Sequence, residues 1–178
     1  MDLSQYSVAH FDRGAPRLKE AAWVFIKCLF FQNPWPWPSE LRIFFLRLFG
    51  AKVGHGVVIR GSVNITFPWR LSIEDHVWIG EEVTILSLAQ VTIQKNTCIS
   101  QRAYLCTGSH DFRSPAFDLQ TKPITIRPGC WIAAQAFVAM GVEIGEGSVV
   151  SAGSVVIENV PAHSFMRGNP AAVVKTLS

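Results

Sequence analysis

The sequence is poor in charge. Asp, Glu, Lys and Arg make up 16% of its 178 residues, against 49% apolar residues. That balance excludes a disordered chain, and it predicts that part of the apolar surface is covered by another copy or by a membrane. Basic runs are missing as well: the net charge is +3 and the Lys and Arg residues are scattered. A nucleic-acid-binding face is therefore excluded, while a small ligand carrying phosphates is not. The four cysteines, Cys28, Cys98, Cys106 and Cys130, form no C-x-x-C pair and no zinc-spaced cluster with histidine. They read as reduced, buried thiols of a cytoplasmic protein. Long hydrophobic runs are absent too. The most apolar stretch, Ala21 to Phe31, has 11 residues including Lys27, whereas a spanning helix needs about 20. The polar opening Met1-Asp2-Leu3-Ser4-Gln5 lacks the basic and apolar regions of a secretory signal.

What is present is a period of six. Aliphatic residues fall at Val53, Ile59 and Ile65, at Ile73, Ile79 and Ile85, and at Ile93, Ile99 and Leu105. After an interruption they continue at Ile126, Ile132, Val138, Ile144, Val150 and Val156. The residue four further on is small or β-branched almost throughout, including Ala89 and Ser109, with Trp69 the exception. Those residues are expected to turn inward at corners. Neither a 3.6-residue helix nor an alternating strand keeps a six-residue register, but a short flat side ending in a corner does. Three such sides close a triangular coil, and stacked coils bury the aliphatic column along the prism. Successive coils are 20, 20 and 18 residues long, and the extra pairs Leu71-Ser72 and Val91-Thr92 are expected to be absorbed at a corner. Handedness does not follow from the pattern, because ordinary parallel crossovers are right-handed in about 98% of cases.

Three regions lie outside the repeat. Residues 1–52 read as two helices broken at Asn33-Pro34-Trp35-Pro36-Trp37-Pro38, the second running from Ser39-Glu40 to Phe49 and stopped by Gly50. Their aromatic residues admit two readings: a cap over the first coil, or a peripheral membrane contact through residues 20–49 beside Arg42, Arg47 and Lys52. Residues 111–123 form an excursion loop from the 53–161 stack, and residues 162–178 leave it as a tail.

The segment Leu105-Cys106-Thr107-Gly108-Ser109-His110-Asp111 ends a coil with a histidine where the chain departs into the loop, a good place for a reactive side chain on a rigid scaffold. Spacing alone leaves a solvated corner histidine equally open. This segment is followed by Pro123-Ile124-Thr125-Ile126, Cys130-Trp131-Ile132 and Gly168-Asn169-Pro170-Ala171, in the order seen in the sugar O-acetyltransferases of the galactoside, maltose and nodulation type. Leu46-Arg47-Leu48-Phe49-Gly50-Ala51-Lys52-Val53-Gly54 and Ala103-Tyr104-Leu105-Cys106 make the chain more similar still to the colanic-acid and capsule-type acetyltransferases.

The resemblance implies an all-β fold, a left-handed parallel β-helix of hexapeptide repeats with a short helical N-terminal segment. It implies an acetyl-CoA-dependent O-acetyltransferase of surface polysaccharide biosynthesis in which His110 is the general base and transfer is direct; Asp111 is a candidate to orient the imidazole. It implies a homotrimer with acetyl-CoA lying between protomers against Trp131, Ala134, Ala152 and Gly153, with Lys175 at the nucleotide phosphates. Arg167 joins that set by its nearness. The acceptor is expected to be a sugar or lipid-linked glycan at the cytoplasmic face, and no metal is expected.

Two departures bear on the site: Ile157-Glu158 and Ala172 replace basic or polar residues of relatives, and Gly80-Glu81-Glu82 falls where the galactoside enzymes carry a sugar-binding asparagine. Trp78 and Glu82 are the candidate acceptor residues, although a tryptophan on a coil face also suits a subunit contact. Cys106 and Cys98 lack a base partner and Cys130 faces inward, which argues against a covalent route. Three other classes compete: N-acyl transfer to an amino sugar, a non-catalytic scaffold, and a metal-dependent hydrase of the γ-carbonic-anhydrase kind. The last needs three convergent histidines, and His55, His76 and His110 sit at different phases of the repeat, with His10 and His163 outside it.

Overall fold

A computed structural model describes residues 3–33 and 35–177. Pro34 of the expected helix break, the opening Met1 and Asp2, and Ser178 lie outside the described residues.

Residues 52–168 wind into a triangular prism whose three faces are parallel sheets. Face one stacks Lys52–Val53, Leu71–Ile73, Val91–Ile93, Ile124–Ile126 and Glu143–Ile144. Face two stacks Val58–Ile59, Trp78–Ile79, Cys98–Ile99, Trp131–Ile132, Val149–Val150 and Ser164–Gly168. Face three stacks Asn64–Ile65, Thr84–Leu86, Tyr104–Cys106, Phe137–Val138 and Val155–Val156. The six-residue columns fall in register: Val53 pairs with Ile73, Ile79 with Ile99, and Leu105 with Val138. Every aliphatic marker after Val53 is at most 2% exposed. With strands of only two or three residues, each side sends one aliphatic side chain inward, and the stack supplies its neighbours above and below.

A turn at each corner requires one residue in the left-handed region. It is the third after eleven of the fifteen markers: Gly56, Ser62, His76, Glu82, Asn96, Arg102, Gly129, Gln135, Gly141, Gly147 and Gly153 all have φ between 57° and 80°. His76 and Glu82 therefore occupy corner positions in a repeating backbone geometry.

The corner between faces three and one is built differently. Trp69 and Ala89 are half-buried and Ser109 is exposed, so none turns inward as expected. Phe67, Ser87 and Thr107 fill the interior instead, followed by Leu71, Val91 and Ile124. The extra pairs thus lengthen the strands of face one and leave a wider corner. Backbone groups there fall out of reach of the ladder, and hydroxyls meet them. Ser87 Oγ accepts from Phe67 N–H at 2.9 Å, and the Thr107 hydroxyl accepts from Ala89 N–H at 2.9 Å while donating to Leu86 O.

The ends of the prism are closed. Helices α1 (Arg17–Phe30) and α2 (Ser39–Leu48) lie across the first coil. Trp23 Nε1 donates to Ile65 O at 3.0 Å, Arg47 Nη2 to Val53 O and Gly54 O at 2.8 Å each, and buried Arg42 to Ile59 O at 3.4 Å. Ser39 Oγ accepts from Ile59 N–H. An edge that would otherwise recruit another strand is thereby satisfied by side chains. At the opposite end the stack does not stop at residue 161. Val149 and Val150 pair with Phe165 and Met166, and Ala171–Thr176 folds back antiparallel on Ser164–Gly168. The expected tail is a strand pair because Met166 continues the apolar column, 5% exposed.

Candidate active site

His110 stands on a hairpin, not at the end of a regular coil. Gly108–His110 pairs antiparallel with Leu119–Thr121, so the excursion begins at the wide corner of the third coil. Its tip is ordered by local bonds: Asp111 N–H to Asp118 O, Arg113 N–H to Asp111 Oδ1, and Ser114 Oγ to Asp118 Oδ2 at 2.6 Å. The expected orienting role of Asp111 is not seen, because this carboxylate is turned to the Arg113 amide. The imidazole is held by Phe117 instead. His110 Nδ1 lies 2.9 Å from Phe117 O, and the two rings stack at 4.2 Å with planes 2° apart. Phe117 has φ 54°, an unfavourable region for a bulky side chain, which aims its carbonyl back at the ring. A carbonyl only accepts, so Nδ1 carries the hydrogen, and in the neutral ring Nε2 is the nitrogen with the lone pair. Tyr6 closes another side, its ring 5.4 Å from the imidazole at 62°.

Alongside the hairpin runs a groove of about 360 Å³ on face three, lined by Cys106, Gly108, Ser109, Lys122, Phe137, Ala139, Met140 and Ile157. Phe117, Tyr6 and Lys122 were not legible beforehand, since nothing in a loop sequence announces a left-handed backbone or a long-range ring contact.

Residues expected to hold the donor gather elsewhere on the prism. Trp131, Ala134 and Ala152 line an apolar groove of about 310 Å³ with Val149, Ser151 and Phe165. The Trp131 indole is fixed by donating to Ser100 Oγ at 2.8 Å. Gly153 continues this edge, and nothing lies within 4 Å of where its Cβ would be. Lys175 pairs with Phe165 across the closing strands and sets its ammonium 5.6 Å from that ring; Arg167, opposite Ala172, is exposed. Small residues, a flat indole and two cations suit a long thiol ester with phosphates at one end. Trp78 shares the outer side of face two with Trp131, each paired with Cys98. Glu82 lines an adjoining groove with Glu81, Arg102 and Gln135, which shares Gln101 and Ala134 with the Trp131 groove. A 2.8 Å hydrogen bond from Arg102 holds the Glu82 carboxyl below the usual carboxylate range.

One chain does not unite the two parts. His110 rises from the corner between faces three and one, and the donor groove follows face two and its corner with face three. Cys130 is buried away from both grooves, whereas Cys106 borders the one beside the hairpin. Burial pushes the Cys130 thiol up, and it donates to Gly145 O; Cys106 donates to Gly108 O. Among the described residues no three His, Cys, Asp or Glu side chains are grouped to hold a metal, and no helix is long and apolar enough to cross a membrane.

No family model matches the chain. A putative colanic acid biosynthesis acetyltransferase of Escherichia coli K12 is 44% identical over 178 residues, covering 98% of this chain and 96% of that one. The chain belongs to the hexapeptide-repeat acetyltransferases. It is an acetyltransferase with their left-handed parallel β-helix. A hexapeptide-repeat acetyltransferase of Vibrio cholerae, solved with acetyl coenzyme A, superposes with a TM-score of 0.84 at 25% identity over 98% of this chain and 97% of that one. A maltose O-acetyltransferase of Clostridium difficile shares the fold at a TM-score of 0.83 and 20% identity, covering 91% of this chain and 88% of that one. In this chain the stacked coils supply the scaffold and the hairpin on the wide corner carries His110.

Proposed function

We propose that this acetyltransferase moves the acetyl group of acetyl-CoA to a sugar hydroxyl in surface polysaccharide or glycoconjugate assembly at the cytoplasmic face, with His110 as general base. The carrying observation is the bond between His110 Nδ1 and Phe117 O, which makes Nε2 the free nitrogen of the neutral ring. As the acceptor oxygen bonds to the thioester carbonyl carbon, its proton passes to Nε2. The carbon–sulfur bond then breaks, and the proton returns from Nε2 to the departing thiolate. A base so placed contributes roughly 10² to 10⁴ in rate. Phe117 takes the orienting role that Asp111 was expected to fill.

The 44% identical relative supports the polysaccharide reading, and the Vibrio structure with acetyl coenzyme A supports the donor. Trp131, Ala134, Ala152 and Gly153 bed the donor chain, with Arg167 and Lys175 at its phosphates. Because His110 and that bed lie at different edges, the working site is formed between protomers of a homotrimer. Trp78 is assigned to the protomer contact and Glu82 to the acceptor side. The outer face of α1 supports a peripheral membrane contact, which would suit a lipid-linked acceptor.

The test is thiol release from acetyl-CoA with nucleotide-linked sugars and lipid-linked glycans, including amino sugars to separate O- from N-transfer. His110→Ala should lose about 10² to 10⁴ of turnover while remaining folded. Cys130→Ala and Cys106→Ala should keep it. A His110→Ala enzyme with full turnover overturns the reading.

A further inference from the structure

Residues 6–13, before α1, are tied along the wide corner toward His110. Phe11 stacks on Phe67 at 6.4 Å with planes 20° apart. Arg70 holds both the main chain and the carboxylate of Asp12, the latter at 3.6 Å, and Trp69 Nε1 donates to Arg13 O at 2.7 Å. Phe67, Trp69 and Arg70 belong to the corner of the first coil; His110 leaves the same corner two coils on. A strap pinned this way delivers the Tyr6 ring to the flank of the imidazole.

We infer that Tyr6 is an acceptor-positioning residue, a flat wall against which the acceptor's sugar ring rests while its hydroxyl meets His110 Nε2. The inference rests on the proposed acetyl transfer. Phe117 already covers one face of the imidazole and occupies Nδ1 through its carbonyl, so the acceptor must come in past the remaining sides. Tyr6 borders one of them, and the ring is 36% exposed, which leaves surface for a ligand. It takes no part in the buried core of the prism. A rigid aromatic ring offers a sugar's C–H face broad contact with few rotamers to freeze, and it favours orientation over tight grip. The strap therefore makes a residue remote in sequence part of the acceptor site, and the contacts of Phe11 and Asp12 fix how far that wall reaches.

The experiment is steady-state kinetics on the full chain. The probe is whichever of a panel of UDP-, GDP- and dTDP-linked hexoses gives the greatest thiol release with wild type. Tyr6→Ala and Tyr6→Leu should raise the acceptor KM about threefold to tenfold, with the acetyl-CoA KM and the pH profile of kcat unchanged. Tyr6→Phe should match wild type, because the ring and not the hydroxyl carries the contact. Phe11→Ala, which loosens the strap, should move the acceptor KM the same way. Tyr6→Leu keeps apolar bulk without a flat face, so it separates stacking from support of the fold. An unchanged acceptor KM in Tyr6→Ala, or an equal rise in the acetyl-CoA KM, overturns the inference while an inactive His110→Ala leaves the acetyl-transfer reading standing. A fully active His110→Ala removes that reading, and this inference with it.

Discussion

Gly145 and Gly153 are glycines for different reasons. A Cβ at Gly145 would sit 2.4 Å from Ala162 N and 2.7 Å from Pro161 C, so the next coil's backbone occupies the place of a side chain. At Gly153 nothing lies within 4 Å, and only φ +68° resists a substituent. Gly145→Ala must push two coils apart, a cost of about 1–3 kcal/mol. Gly153→Ala meets only the left-handed penalty of about 1–2 kcal/mol, at a corner geometry that Gln135 and Arg102 already tolerate. Urea unfolding should show the larger drop in midpoint for Gly145→Ala; equal drops would mean that coil spacing is not set by that contact. The same division marks what a residue string discloses. His110 was legible through its motif, but the group that holds it was not. Asp111 adjoins it in sequence yet bonds to Arg113, while Phe117 reaches the ring through a carbonyl that any residue would have carried.

Elements were more legible than contacts, because a period repeated over many coils averages out its exceptions. The aliphatic columns align as the spacing required, and within them the inward places differ at one corner. There an inward position four after the marker was expected, whereas two added residues per coil shift the inward places to Phe67, Ser87 and Thr107. Helix α1 shows how a local pattern can be read two ways at once. Three of its four charges are turned to the prism or to the segment before the helix: Lys27 Nζ donates to Asn64 Oδ1, Lys19 lies 5.2 Å over the Trp69 ring, and Glu20 pairs with Arg13. Its exposed side is Arg17, Leu18, Ala21, Ala22, Val24, Phe25, Cys28 and Leu29, with its one charge, Arg17, at the first position of the helix. Capping and membrane contact thus use opposite sides of one helix and do not compete. Apolar side chains at such helical spacing suit the headgroup boundary of a bilayer. The protein should co-sediment with phosphatidylglycerol-containing vesicles, and Phe25→Glu should abolish this without loss of thiol release on a water-soluble acceptor. Equal pelleting of the variant would sink the membrane contact.

At the scale of the whole molecule, the prism sets the proposed base, His110, and the proposed donor bed at different corners. On the proposed reading, a second copy completes either part, and cyclic symmetry would supply the same junction at every interface. The consequence can be measured by mixing two dead enzymes. His110→Ala lacks the base, and Ala152→Trp fills the groove that Trp131 and Phe165 border. If base and bed came from one chain, subunits exchanged between the two variants would stay inactive in every combination. If they come from neighbours, a protomer with an intact histidine can face one with an intact groove. Random exchange then restores roughly a quarter of the sites. Thiol release regained after co-refolding, and absent when the two proteins are mixed without exchange, would place the reaction at the protomer boundary; continued silence after proven exchange would return both halves of the site to one chain.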